Sequence, residues 1–316
     1  MADPKIIAVV GATGAQGGGL VRAIAKDTSG IYKARAITRD PRSEKAQALA
    51  KLGAEVVAGD VDDEASLRRA FDGAHGAFCV TFFWDHFSAE KEIAEAANMA
   101  LAAKDAGVKH VIWSTLEDTR KWIPLSDTRM PTLQGKYKVP HFDGKGEADA
   151  RFAEIGVPTT LLLTSFYWEN FIHFGMGPKK DKDGKLALTL PMGTKKLPGI
   201  AVEDIGKCAL GVFRKGRDFI GRATGIAGEH LTGAQMAAAF TRALGQTVSY
   251  SPLTPDQFRK LGFPGSDDIG NMFQFNADME VMFCGARGVE STRALNPELQ
   301  TFDQWLAVNK ARIPLD

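Results

Sequence analysis

Val9-Val10-Gly11-Ala12-Thr13-Gly14-Ala15-Gln16-Gly17 decides how the N-terminal half of this chain folds. The stretch follows directly on the apolar run Ile6–Val10 and opens into a helical stretch, Gly17–Lys26. Strand, then glycines, then helix is the context that turns a common glycine pattern into a phosphate-loop expectation. Gly11 permits the tight turn, Gly14 lets the backbone approach a pyrophosphate, and Gly17 lets helix and strand pack closely. Phosphates then rest on the helix N-terminus, where free N–H groups and the dipole favour anions. The candidate dinucleotide contacts in this loop are Gly11, Thr13, Gly14, Ala15, Gln16 and Gly17. Gly18 and Gly19 weaken the first helical turn by about 1 kcal/mol each relative to alanine, a cost that close approach of a cofactor or a strand explains.

Outward from the loop, one pattern repeats to about residue 165: a short β-branched run, a Gly-rich or polar turn, then an apolar stretch at helical spacing. This predicts strands at Ile6–Val10, Ala34–Thr38, Glu55–Ala58, Gly76–Val80, His110–Trp113 and Thr159–Leu163. Helices are expected at Gly17–Lys26, Ser43–Lys51, Glu64–Phe71, Ser88–Ala106 and Gly146–Ile155. Alternating strands and helices with nearly unbroken apolar strands give an α/β, doubly wound parallel sheet covered on both faces. Beyond 165 the pattern loosens into Gly/Pro-punctuated segments rich in aromatics, read as a smaller C-terminal α+β lobe over the cofactor edge. The expected division is therefore 1–165 and 166–316, with some later segments free to return to the sheet. Strand-like pieces there are Lys185–Leu190, Ile220–Ile226 and Val248–Tyr250; helices are Val202–Phe213, Thr232–Leu244 and Thr254–Leu261.

The second strand bears on the choice of dinucleotide. An NAD site places Asp or Glu at that strand's end to bond the ribose hydroxyls. Here Arg39 stands there, followed by Arg42, and the segment Lys33–Lys45 carries five basic and two acidic side chains. A planar guanidinium suits a 2′-phosphate and cannot replace a carboxylate, so NADP(H) is the expected cofactor. Asp60 and Val61 close the third strand, where Asp60 reads either as an adenine contact or as a cap or turn residue. Thr81, Phe82 and Phe83 leave the fourth strand at its carboxyl end, in the crevice such sheets use for ligands; Phe82, Phe83 and Trp84 read equally well as core. Thr164, Trp168, Asn170, Phe171, Met176, Met272, Phe273 and Phe275 either line a hydrophobic pocket or form core.

Composition narrows the classes. With 39 Lys+Arg against 38 Asp+Glu the net charge is +1, which argues against nucleic acid or an anionic membrane as partner. The four lysines and two aspartates of Lys179–Lys185 read as a solvated loop. No apolar stretch is long enough for a membrane span, and Cys79, Cys208 and Cys284, odd in number and widely spaced, suit a reducing, cytoplasmic compartment as buried small hydrophobes. No Cys/His cluster suggests a metal, and no Gly-x-Ser-x-Gly elbow a serine hydrolase.

Val10 to Gly17, Thr38-Arg39-Asp40-Pro41, Ala58-Gly59-Asp60, His141-Phe142-Asp143-Gly144-Lys145-Gly146-Glu147 and Leu261-Gly262-Phe263-Pro264-Gly265 together carry a family likeness. Over nearly its whole length the chain resembles the NmrA-like family of atypical short-chain dehydrogenase/reductases, and within it the human redox-sensor branch. The resemblance implies a Rossmann-type domain with NADP(H) on Gly11, Gly14, Gly17 and Arg39, and a lysine at the position of Lys145. It also exposes a departure. Short-chain dehydrogenases carry Tyr-x-x-x-Lys on this helix, the tyrosine donating the proton. Here the spacing is His141-x-x-x-Lys145. Ser114 occupies the place of the superfamily's serine, so Ser114 and Lys145 are expected as a cofactor-holding pair. His141 is either a proton donor or a capping or surface residue. Two readings stay open. One is an NADP(H)-binding redox sensor with a regulatory protein partner, monomer or homodimer. The other is an NADPH-dependent reductase of a small hydrophobic carbonyl, enone or quinone.

Overall fold

The computed structural model describes residues 3–315. The chain divides into two compact units, and the division is not a single cut near 165. The first unit takes the chain up to Asp118, His141–Thr164 and Glu203–Thr224; the second takes Thr119–Pro140, Ser165–Val202 and the chain from Gly225 onward.

The first unit is built on β1 (Lys5–Val9), α1 (Ala15–Lys26), β2 (Tyr32–Thr38), α2 (Glu44–Lys51), β3 (Glu55–Ala58), α3 (Glu64–Phe71), β4 (Gly76–Cys79), α4 (Ala89–Asp105), β5 (His110–Thr115), α5 (Pro140–Ile155), β6 (Thr159–Leu163), α6 (Val202–Lys215) and β7 (Ala223–Gly225). The sheet order is β7-β6-β5-β4-β1-β2-β3. From β3 through β6 every neighbouring pair is parallel. The order reverses between β1 and β4, which makes the carboxyl ends of those strands a topological switch point where such sheets bind ligands.

One face of the sheet packs on α3, α4 and α5 through Phe71, Met99, Trp113 and Phe152. The Trp113 and Phe152 rings stack 5.1 Å apart, and the indole Nε1 donates to Asp149 Oδ1 at 2.9 Å. Burying side chains of this size stabilises by about 1.5–3 kcal/mol each. The expected strands are present, and α5 starts six residues earlier than its apolar pattern suggested, so His141 and Lys145 lie one turn apart on it.

At Gly19 a further close approach appears, that of another helix. A Cβ on Gly206 of α6 would strike the backbone of Gly19 and Leu20, so two helices cross here with their main chains in contact. The bidentate pair of Arg22 with Glu203, 2.6 Å at its shortest, ties the same crossing. Gly19 thus lies at a helix–helix contact that Gly206 makes possible.

The second unit holds two three-stranded sheets. One orders Glu229–Thr232, Lys196–Ile200 and Phe166–Tyr167; the other orders Val248–Tyr250, Leu186–Leu188 and Lys179–Lys180. Its core is aromatic: Trp168, Phe171, Phe240, Phe302 and Trp305 meet ring on ring. Phe273 packs on Phe258 and Phe166, and Phe275 on Phe283 and Trp122. Trp168, Phe171, Phe273 and Phe275 are therefore core of this unit rather than pocket wall. The helices Ser266–Asp278, Glu280–Gly285, Val289–Leu295 and Phe302–Asn309 were not legible as a series. Cys79 and Cys208 are buried as expected, whereas Cys284 is only half-buried. Among the described residues no helix is long and apolar enough to cross a membrane.

Candidate functional site

Gly11 turns the chain out of β1 with φ +62°, a conformation that glycine reaches without strain. The Gly14 N–H then closes the turn on the Gly11 carbonyl at 2.9 Å. A Cβ on Gly17 would sit 2.5 Å from that carbonyl oxygen and 2.9 Å from that of Val10, whereas one on Gly14 would meet only Gly11 O, at 3.1 Å. Gly17 is thus required by the fold, whereas at Gly14 the protein itself presents only one tight contact to a side chain.

The helix that follows is electrostatically open. Ser43, Asp63 and Ser88 cap α2, α3 and α4 with side-chain acceptors, and each of those helices has a glutamate in its first turn. The cap of α1 is Gly14, with no side-chain acceptor and no acid in the first turn. Its positive end is left for an external anion. Gly11, Gly14 and Ala15 are exposed and Thr13 is half-buried around it.

Of the basic residues on β2, Arg35 is turned to structure, bonding Glu55 at 3.0 Å and the Ala70 carbonyl at 3.0 Å. Arg39 keeps 72% of its side chain exposed and reaches Asp85 Oδ2 at 3.2 Å; Arg42 is exposed one turn on. Asp60 takes its turn role: Oδ1 accepts the Asp62 N–H, while Asp63 caps α3. The Val61 carbonyl accepts from Asn98.

Beyond β4, Phe82 is exposed and Phe83 is buried. Phe83 packs on Trp84 at 5.2 Å and on His141 at 5.9 Å, and His141 lies 4.9 Å from Trp84. The Phe83 ring is core, so only its backbone is left to face a ligand. His141 is no surface residue, being 8% exposed within this ring cluster.

Lys145 is the centre of the site's chemistry. Its Nζ donates to Thr81 Oγ1 at 2.6 Å and lies 3.0 Å from Glu92 Oε1, 3.5 Å from the Thr81 carbonyl and 5.1 Å above the Trp113 ring. The Thr81 hydroxyl donates in turn to Glu92 Oε1 at 2.6 Å. Gly144 and Gly146 make the meeting possible. A Cβ on Gly144 would press on Ala89 at the start of α4, and one on Gly146 would strike the backbone of Asp118. Ser114 is not part of this cluster; its hydroxyl donates to Gln16 Oε1 at 2.7 Å, tying β5 to the start of α1. The expected Ser114–Lys145 pair is therefore two separate contacts, one on the loop helix and one on α4.

Sequence reasoning missed Glu92, Glu95 and Asp85. The signal was present for the first: Glu92 falls on the same helical stripe as Ala89, Ala96, Met99 and Ala103, where a carboxylate is out of place. Among the described residues no cluster of His, Cys, Asp or Glu could hold a metal ion.

The chain was then compared with known proteins. The model of the NmrA-like family matches residues 3–306. The oxidoreductase FrzB of Cladobotryum sp., which bears an NmrA-like family domain, is 29% identical over 291 residues, covering 85% of this chain and 83% of FrzB. NmrA, a negative transcriptional regulator solved in complex with NAD, superposes with a TM-score of 0.76 at 25% identity, over 97% of this chain and 95% of that one. Its complex with NADP gives 0.75 at 24% over the same shares. A strand-bound glycine loop, an Arg-ended second strand and a family match over nearly the whole length agree: this chain belongs to the NmrA-like family.

Proposed function

We propose that this protein binds NADP(H) along the carboxyl edge of the seven-stranded sheet and acts as a redox sensor, its loops and a protein partner responding to cofactor occupancy. The pyrophosphate lies on the uncapped start of α1, beside Gly14. Arg39, with Arg42 beside it, takes the 2′-phosphate, and Lys145 takes the nicotinamide ribose. When bound, the cofactor supplies hydride chemistry; the chain supplies the anion site, the guanidinium and a buried ammonium.

The observation that carries the sensor reading is His141. At the helical position where a proton-donating tyrosine would stand, this side chain is buried among Trp84, Phe83 and Phe142. A general acid needs hydrogen-bond reach of the reacting atom, and a ring packed among aromatic side chains at 8% exposure is a poor candidate for that task. The regulator NmrA, solved with NAD and with NADP, supports the same reading. The alternative, a reductase of a hydrophobic carbonyl, enone or quinone, is favoured by the oxidoreductase name of FrzB.

Titration calorimetry tests the cofactor. NADPH is expected to bind more tightly than NADH, and Arg39→Ala to remove about 10–150-fold of NADPH affinity, the worth of one charge-assisted phosphate contact. Equal affinities in the wild type would sink the assignment. Offering quinones and enones with NADPH tests the role: a sensor leaves the cofactor unoxidised, and brisk turnover establishes the reductase.

A further inference from the structure

We infer that Glu92 is a positioning residue: it fixes Lys145 at the carboxyl end of β4, so that this ammonium is presented to the nicotinamide half of the cofactor. The inference rests on the NADP(H) reading above.

Three observations carry it. Glu92 has no exposed surface, and its Oε1 receives both the Thr81 hydroxyl and the Lys145 ammonium, closing a three-membered ring of contacts. Its Oε2 is buried with no hydrogen-bond partner. A buried ion pair with half its acceptor capacity unmet is a poor device for stability, since apolar replacements commonly do as well or better. Ala89, Ala96 and Met99 on its stripe of α4 need no carboxylate to pack, and the one other buried acid of that helix is Glu95.

The second observation is placement. Glu92 lies in the first turn of α4, where the helix dipole favours a carboxylate, and α4 begins just past the β4 crevice. The third is the cost taken in the backbone. Gly144 and Gly146 flank Lys145: a Cβ on Gly146 would clash with the Asp118 main chain, and one on Gly144 would press tightly on Ala89. Glycine inside a helix is destabilising, so two of them around one lysine mark a close approach that the lysine's position requires. Two of the lysine's contacts are short and the third, to the Thr81 carbonyl, is long at 3.5 Å. The Lys145 side chain still keeps 11% of its surface exposed, and that exposed edge is where a ribose hydroxyl would meet it.

The test uses the full chain and two probes. NADPH spans both halves of the site; adenosine 2′,5′-bisphosphate carries the adenine and the 2′-phosphate but no nicotinamide ribose. Glu92→Gln is expected to weaken NADPH about tenfold and to leave the bisphosphate unchanged, and Glu92→Asp to fall between wild type and Glu92→Gln. The double variant Glu92→Gln/Lys145→Met should bind NADPH no more weakly than Lys145→Met alone, because Glu92 acts through the lysine. Unchanged NADPH affinity in Glu92→Gln, or additive losses in the double variant, overturns the inference and leaves the cofactor reading standing. Loss of both probes together reveals a merely structural role and also overturns it. Failure of the wild type to bind NADPH, or indifference of NADPH to Lys145→Met, overturns the reading and the inference together.

Discussion

Glu95 sits one turn beyond Glu92 on α4 and is nearly as buried, 4% exposed, but its partners are poorer. Its Oε1 lies 3.5 Å from His86 Nε2 and 3.9 Å from Lys91 Nζ. Burial first, then the nearby Asp62 and Glu92 charges, push its pKa up to about 7 from an ordinary 4.5. The folded protein therefore holds this proton through a window in which the unfolded chain releases it. The stabilisation is complete below about pH 4.5 and is lost as pH rises through 7. Discounted for solvent screening, it is on the order of 1–2 kcal/mol. His110 bends the whole curve the other way: burial lowers its pKa to about 4, so its share is lost as pH falls. The difference between wild type and Glu95→Gln isolates the glutamate. Urea unfolding should show the variant gaining on wild type between pH 5 and 8, and a flat difference would show that Glu95 ionises normally. Neither glutamate was read from the sequence, because Ala-Glu-Lys-Glu-Ile-Ala-Glu reads as a solvated helix when charge is counted without the stripe that marks Glu92. Lys145 was legible only as a position; its partners lie 53 and 64 residues away in sequence, and spacing carries no information about them.

At the scale of elements, what the sequence made readable was the alternation itself. β3, β6 and the strand Val248–Tyr250 have the expected bounds because each is a short run fenced by polar or glycine residues, and α3 has them because Asp63 caps its start and Asp72-Gly73 ends it. The helix Ser266–Asp278 escaped because its buried face mixes polar residues with apolar ones, whereas Phe302–Asn309 carries an apolar stripe in Phe302, Trp305 and Leu306 that went unread. Asp268, Asn271 and Asn276 are buried on Ser266–Asp278, where Asn271 Nδ2 donates to the Pro131 carbonyl. A helix whose inner face is polar has no 3.6-residue apolar signal to find. Glycines divide along the same line between local and tertiary causes, and their substitutions should separate. Gly17→Ala forces the loop carbonyls apart and Gly206→Ala forces α1 from α6, so each is expected to cost about 1–3 kcal/mol in urea unfolding without ligand. Gly14→Ala needs a shift of only a few tenths of an ångström from one carbonyl. It should stay within about 1 kcal/mol of wild type, yet lose NADPH in calorimetry. Wild-type stability in Gly206→Ala would remove the backbone contact between the helices.

For the molecule as a whole, the question is how occupancy of one crevice changes anything outside it. A ligand shifts a two-state element only by the difference between its affinities for the two states. Arg39 supplies such an element. Its guanidinium pairs with Asp85, the last residue of the single helical turn Phe83–Asp85, so the β2 exit and the β4 exit are tied. The pair is exposed and worth at most about 1 kcal/mol, so a dianionic 2′-phosphate on Arg39 readily displaces the carboxylate. Phe87, two residues on, has φ +55°, a conformation uncommon for a side chain of that size, and is itself exposed, as is Phe82. Residues 82–88 are anchored by the buried Phe83 ring and its contacts with Trp84 and Phe87, and the exposed Arg39–Asp85 pair adds a weak further tie whose release changes how the turn is held. Hydrogen exchange should show NADPH protecting residues 39–45 and changing the exchange of 82–88, while β1 and β5 stay protected throughout. NADH, lacking the phosphate, should protect the glycine loop and leave 82–88 near its unliganded rate. NADPH at a hundred times its Kd should also add about 2.7 kcal/mol to the stability of the first unit. Asp85→Asn is the decisive variant: with the tie already cut, exchange in 82–88 should be fast without ligand and indifferent to NADPH. A response to NADPH as large as the wild type's would mean that the loop is read through some contact other than Arg39 and Asp85.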